Sequence, residues 1–560
     1  RVEVVFHRFV FLDRVLARSP FFADGKCTKY FRPEFYFELQ ISRSDSELQN
    51  YAPGTTFAAN TTTMVPTPLR PLATAFILAL LALASCRPEY RFAPEPVALV
   101  RSQDTVYLDT VFATVGSSTR SVRLVNPSAY DINISRISLG RGTESPFRFN
   151  ANGQQGPELE NVVIPARDSI WIFVETTAPR GDGEMLWEDS LRVEQGSFAQ
   201  NIYLVALAWD AHFHYPNRVL TIPQPEPYPD ILIPYVILGA NEVWSDDKPH
   251  VVYGYAVVDS GATLDILAGA QVHFHSGSGL WVTSGGTLRV DAAGAGSYDE
   301  PAVLQGDRLE PFYRNIAGQW GGVLGGIFLQ RGARADIRNA WIRNGTLGIR
   351  CDSVADGEPH NLLVRNSRIT DFSRAAIYSG FGRIRLENTV VANSGLYNLY
   401  TLGGRVEADH CTFANSFPGP RATPSIGLFN RYDDGTGTFR YRALLQADVR
   451  NCIVDGSQES EVGFGYGPQA AFNFRFEGSL LKLNRFPDPA LYDVNDPARF
   501  EGCVFNVNPQ FEASSTFDYR LKLGSPALGI GWPNATNAIP IDALGQSRPS
   551  PADAGALETL

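Results

Sequence analysis

Seven segments of this chain align on Asn339, Asn366, Asn388, His410, Asn451, Gly478 and Gly502, at intervals of 27, 22, 22, 41, 27 and 24 residues. Two positions before the anchor stand Ile337, Val364, Leu386, Ala408, Val449, Phe476 and Phe500. Four before it stand Ala335, Leu362, Ile384, Val406, Ala447, Phe474 and Ala498, and three after it Ile342, Ile369, Val391, Phe413, Val454, Leu481 and Phe505. All three columns are apolar. In a chain that is 44% hydrophobic, one such column arises by chance about 0.3% of the time, so the repeat is real. Directly before the anchor every residue is charged (Arg338, Arg365, Glu387, Asp409, Arg450, Glu477, Glu501). Directly after it every residue is small (Ala340, Ser367, Thr389, Cys411, Cys452, Ser479, Cys503).

Alternation of apolar and polar residues means a strand with one face in a core. Repetition every 22 or so residues stacks such strands in parallel, coil on coil, about 4.8 Å apart. The anchor then falls at a tight corner, where Asn and Gly tolerate left-handed backbone angles and stacked Asn side chains can bond along a ladder. The 41-residue interval leaves room for a loop or an extra coil. Upstream, Gly261-Ala262-Thr263-Leu264-Asp265-Ile266 recurs 24 residues later as Gly285-Gly286-Thr287-Leu288-Arg289-Val290, the mark of a solenoid. The fold class expected is all-β, a parallel β-helix over residues 251–519.

The earlier part of the chain reads differently. Residues 1–63 show no periodicity and precede the first methionine, Met64; they read as translated upstream sequence or an artefact. Residues 64–85 combine Arg70, an apolar run from Leu72 to Leu83 and a small pair before Cys86, the layout of a secretory signal too short to span a bilayer. A polar tether follows over 86–99. Residues 100–210 hold short alternating strands such as Ile170-Trp171-Ile172-Phe173-Val174, separated by turns, as in a β-sandwich. Residues 211–250 are expected to form a connector and the cover of the first coil, and residues 520–560 a C-terminal cap segment. The net charge of −11 with only five lysines argues against nucleic-acid binding, which needs a basic surface.

Three resemblances bear on these segments. The end of the signal resembles the lipobox of bacterial lipoproteins. This implies a lipid on Cys86, attachment to the cell envelope at the outer membrane or cell surface, and a membrane partner reached through that lipid. The sandwich segment, with Val115-Gly116-Ser117-Ser118, Leu124-Val125-Asn126 and Pro165-Ala166-Arg167-Asp168-Ser169, resembles immunoglobulin-like domains of the ASPM/SPD-2/hydin type. From about Val251 to Glu558 the chain resembles right-handed parallel β-helix repeat lipoproteins. The motifs are the Gly-Ala-Thr-Leu start, Trp320-Gly321-Gly322, the asparagine corners, and a terminal stretch from Gly524-Ser525-Pro526-Ala527 through Asp542, Gly545 and Arg548 to Asp553-Ala554-Gly555-Ala556-Leu557-Glu558.

Right-handed β-helices often act on polysaccharides. The Gly-His-Gly motif of polygalacturonases is missing from the sequence, as is the Trp-x-Asp-His segment of pectate lyases. One cluster has the right residue types. Glu387, Glu407, Asp409 and Asp448, with Arg385 and Arg450 beside them, fall on outward positions of neighbouring coils, where carboxylates can gather Ca²⁺ and an arginine an acidic sugar. The plainer expectation for the same residues is a solvated charge ladder. His273 and His275 share one strand face, as metal ligands or as a surface pair. Cys411 and Cys452 are expected as neighbouring core thiols, within reach of a disulfide. Loops at 417–440 and 456–469 carry Phe429, Tyr432, Asp433, Asp434, Phe464 and Tyr466, suited to stacking on glycans or to covering coils. The function expected is a monomeric, lipid-anchored envelope protein that displays a β-helix for adhesion or polysaccharide binding, with no catalysis and no obligatory cofactor. The alternative is a polysaccharide lyase or glycoside hydrolase acting through the carboxylate cluster.

Overall fold

The structure is a computed structural model, and the residues described are 90–180, 184–354, 359–484 and 491–559. The signal segment and Cys86 lie outside them. From Val100 to Trp209 the chain forms two five-stranded sheets. Their inward residues, among them Val106, Val122, Ile134, Ile172, Val174, Ile202 and Leu204, make one dry core. Pairing is antiparallel except where Phe198–Trp209 runs parallel to Thr105–Phe112.

The remaining chain is wound into three long sheets of a β-helix-like solenoid. Among the described residues the first sheet collects ten strands, those preceding the anchors; the second collects eleven, those following them; the third has ten. Every pairing in these sheets is parallel apart from Arg218–Ile222 with Ile231–Ile237. The 24-residue repeat stacks in register, Thr263 on Thr287 through Ile266 on Val290. All seven anchors have positive φ, from 42° at Asn339 to 62° at Gly502. At Gly478 and Gly502 a side chain would collide with Trp532, which packs on both corners. The two columns flanking the anchor by −2 and +3 line the core, as does the −4 column down to Phe474. Ala498 departs from it and is exposed, because the last first-sheet strand begins only at Phe500.

The small column after each anchor has a specific chemical reason. Ser367 Oγ donates to the Arg365 carbonyl at 2.6 Å, Thr389 Oγ1 to Glu387 at 2.8 Å, Cys452 Sγ to Arg450 at 3.2 Å and Ser479 Oγ to Glu477 at 2.8 Å. The same atoms accept from the coil before: the Cys411 N–H reaches Cys452 Sγ at 3.3 Å, and the Cys452 N–H reaches Ser479 Oγ at 3.0 Å. Cys411 and Cys452 are thus stacked free thiols serving as weak hydroxyl substitutes. The 41-residue interval is a single coil, since Gly404–Asp409 pairs directly with Leu444–Arg450. The surplus residues form a hairpin of Arg431–Asp433 with Phe439–Tyr441.

Residues 212–252 build the first coil, where His212, His214, His250 and Trp244 stack on one another. The sandwich rests on this end through Phe112, Ala211 and Val251. His273 and His275 are not an equivalent surface pair: His273 is buried against Phe112, with ring centroids 5.0 Å apart, whereas His275 stays half-exposed and bonds Asp307 at 2.7 Å. Burial holds His214, His250 and His273 down to about 4. Between pH 6.5 and about 4 the unfolded chain therefore binds protons that the folded chain refuses, and stability falls as the pH falls through that window. For the fully enclosed His273 the gap corresponds to about 3 kcal/mol. His275, raised by Asp307, acts in the opposite sense. Melting temperature measured against pH is expected to drop over this range, with a shallower slope in His273→Phe; equal slopes would remove His273 as a cause.

The C-terminal stretch runs back along the flank of the second sheet. Phe517, Tyr519, Ala543, Ala556 and Leu557 pack with Tyr298, Trp341, Val390 and Ala414, while Leu521, Ala527 and Ala554 pack on Ile453 and Leu480. The segment expected as a cap is a strap, covering coils far upstream of its own position in sequence.

Candidate functional site

The acidic cluster lies on the outer face of the first sheet, on strands Arg383–Glu387, Gly404–Asp409 and Leu444–Arg450. Alternation turns Ile384, Leu386, Val406 and Ala408 inward and sends the charged residues out. Register then places Arg385, Glu407 and Asp448 in one row across three coils, and Glu387, Asp409 and Arg450 in the next. All six residues are brought together on adjacent coils.

They are brought together as ion pairs. Arg385 lies 2.5 Å from Glu387, 2.9 Å from Glu407 and 3.6 Å from Asp409. Arg450 grips Asp409 through two bonds of 2.5 and 2.8 Å, the bidentate geometry at which arginine excels. Glu387 is further held by Arg365 at 3.1 Å, Glu407 by His360 at 3.3 Å, and Asp448 by Gln446 at 2.6 Å. The Asp409 side chain is only 1% exposed. Burial pushes its carboxyl up, and Arg450 and then Arg385 pull against that push. Glu407 is held below the usual carboxylate range, first by its bond from His360, despite its partial burial. In chemical terms the face is a half-buried ladder in which guanidinium groups alternate with carboxylates.

A cation would have to displace Arg385 and Arg450 from these oxygens, and Ca²⁺ prefers several hard oxygens that converge on one point. Among the described residues no group of three or more His, Cys, Asp or Glu side chains is so arranged. Ca²⁺ and Mg²⁺ at equal ionic strength are therefore expected to shift the melting temperature alike, through screening alone. Removing Glu407 and Asp409 together should leave that small response unchanged. A rise specific to Ca²⁺ that the double substitution abolishes would restore the cation site.

A second titratable group escaped the sequence reading. Asp371, five residues after its anchor, sits at another corner with φ 62°. Burial pushes its carboxyl up to about 6, against a bond from Asn393 at 3.3 Å and the nearby charge of Arg343. The signal was available, since Asn344, Asp371, Asn393 and Asn415 form a column five after the anchors. The two stretches read as aromatic loops contain third-sheet strands, Ile426–Phe429 and Val462–Gly465. Phe429 and Phe464 are buried there, while Tyr432 lies in the inserted hairpin beside the Phe429 cluster.

No family model and no curated protein matches this chain. A comparison with solved structures returns, among its matches, a family 123 glycoside hydrolase from Clostridium perfringens. It matches at 7% identity and a TM-score of 0.15, over 20% of this chain and 26% of the other. The match spans about a quarter of that enzyme, and a likeness this slight carries no functional argument.

Proposed function

We propose that this chain is an exported envelope lipoprotein, tethered by a lipid on Cys86 and carrying an immunoglobulin-like sandwich at the base of a right-handed parallel β-helix. The displayed β-helix protein binds surface polysaccharide without cleaving it. The observation that supports a scaffold over an enzyme is the saturation of the charge ladder. Glu387, Glu407 and Asp409 each meet an arginine within 3.1 Å, so they hold coils together instead of standing ready to transfer a proton. A lyase or glycosidase would need at least one of these carboxylates released from its partner, with its pKa matched to the working pH.

Two measurements test the reading. Radiolabelled palmitate should enter the wild-type protein in cells and fail to enter Cys86→Ser; equal labelling would remove the tether. Incubation with acidic and neutral polysaccharides should give retention on the polymer with neither unsaturated-product absorbance nor new reducing ends. Product formation lost in Glu407→Gln or Asp409→Asn would establish the enzymatic alternative.

A further inference from the structure

Most aromatic rows on this molecule spend their ring faces on one another. On the third sheet Tyr378 and Tyr400 stack at 5.0 Å and 3°, and Tyr400 stacks on Phe429 at 4.8 Å. Beside the first coil, Phe213, Tyr215, Tyr253 and His275 stack at 5.7, 5.1 and 4.7 Å. Trp171 and Phe173 of the sandwich are different. They alternate outward on the central strand Ser169–Thr176, are 48% and 44% exposed, and neither stacks on another ring among the described residues. Strand geometry sets them about 7 Å apart along one line.

The outward cross-strand neighbours of these two rings carry hydrogen-bonding groups. Cross-strand register places Ser121 on one side of Phe173 and Asn150 then Gln155 on the other. Arg148 and Glu175, paired at 2.7 Å, form the next row, and Arg123 lies beside Trp171 with its guanidinium 5.8 Å from the ring. A cleft of about 490 Å³ opens at this edge, where the polar Arg148, Asn150, Gln155 and Glu175 meet an apolar side formed by Phe173 with Leu139, Phe147, Phe149 and Pro157. On the opposite sheet Tyr107, Tyr203 and Leu186 join Val205 and Leu207 into a contiguous apolar centre, with Thr105, Thr110, Glu188 and Ser190 paired beside it at the rim.

We infer that the outer face of the strand Ser169–Thr176 is a saccharide-binding platform, with Trp171 and Phe173 as stacking rings and Asn150, Gln155 and the Arg148–Glu175 pair as hydroxyl ligands. A pyranose offers an apolar C–H face and a rim of hydroxyls that both donate and accept, so it is matched by isolated rings set among amides and charged pairs. A protein partner selects instead a contiguous apolar centre with polar groups at the rim. The inference rests on the polysaccharide-binding reading above and moves the contact from the solenoid to the sandwich.

The test is electrophoresis of the purified full-length protein through native gels containing hydroxyethyl cellulose, xylan or polygalacturonate. At least one polymer is expected to retard the wild type, and Trp171→Ala and Phe173→Ala are each expected to weaken retention roughly tenfold, as loss of an interface aromatic does. Trp171→Phe should retain binding, and all three variants should stay folded with at most a small fall in melting temperature, because each ring is about half exposed. Glu407→Gln with Asp409→Asn on the solenoid should bind as the wild type does. Retention that the aromatic variants leave intact overturns the platform and spares the wider reading. Retardation by none of the three polymers overturns both. A wild-type dimer in sedimentation that Trp171→Ala dissolves would make the face an interface between copies and overturn the platform.

Discussion

Leu386→Asp is expected to cost at least about 4 kcal/mol and to leave little folded protein at ambient temperature, because it buries a carboxylate with nothing to pair it. Leu386 is fully enclosed, stacked between Val364 on one coil and Ala408 on the next. Denaturant titration or protease resistance reads the effect. The neighbouring Glu387 supplies the control, with a qualification that the structure adds. Its side chain is only 17% exposed and engages both Arg365 and Arg385, so a charge reversal there would set three cations together. The neutral Glu387→Gln is the informative change, expected to cost about 1 kcal/mol. Equal stability of Leu386→Asp and Glu387→Gln would show the strand phase to be inverted.

Arg548→Ala is expected to be the second most damaging change, at about 3–5 kcal/mol, because it strands a buried carboxylate. Arg548 and Glu558 are 0% and 2% exposed and meet at 2.7 Å. The same guanidinium bonds the corner residue Asn388 at 2.9 Å and the carbonyls of Gly555 and Ala556 at 3.2 Å. Asp542 accepts from the Glu558 N–H at 2.8 Å, and Glu558 accepts from the Asp553 N–H at 3.0 Å. Loss of the arginine should free the strap from the second sheet. Limited proteolysis would then cut between Pro533 and Leu557 while the upstream coils persist. Arg548→Met combined with Glu558→Leu should recover much of the loss, since removing both charges is far less costly than removing one. A double variant no better than the single would show that the bonds to Asn388 and the backbone, not the ion pair, hold the strap.

Both changes act on positions that the sequence had marked, yet for different reasons. The phase of Leu386 was legible because period-two burial repeats in every coil, so seven copies of one pattern reinforce each other. The third strand of each coil was illegible by the same logic. The interval from anchor to third strand varies, from Asn366 to Ala375 in one coil and from His410 to Ile426 in another, so no fixed column forms. That is why Phe429 and Phe464 read as loop residues. The charge ladder was legible as a row of outward residues, but not as a set of closed ion pairs. Pairing depends on which carboxylate meets which arginine across coils, and the direct stacking of Asp409 on Arg450 across 41 residues becomes visible only in the register.

The sequence by itself determined the local periodicities: alternating strands, left-handed corners at asparagine and glycine, and a small residue after each corner, a hydroxyl or thiol at all but Ala340. These are dictated by residues close in the chain, where sterics and burial act through the backbone. The tertiary structure alone decided where distant segments meet. It laid residues 511–557 along coils hundreds of residues upstream, buried His273 beneath Phe112 of the sandwich, and left Trp171 and Phe173 facing water. Such contacts follow from which apolar faces remain uncovered once every local element has formed, and no local pattern in the chain encodes that remainder.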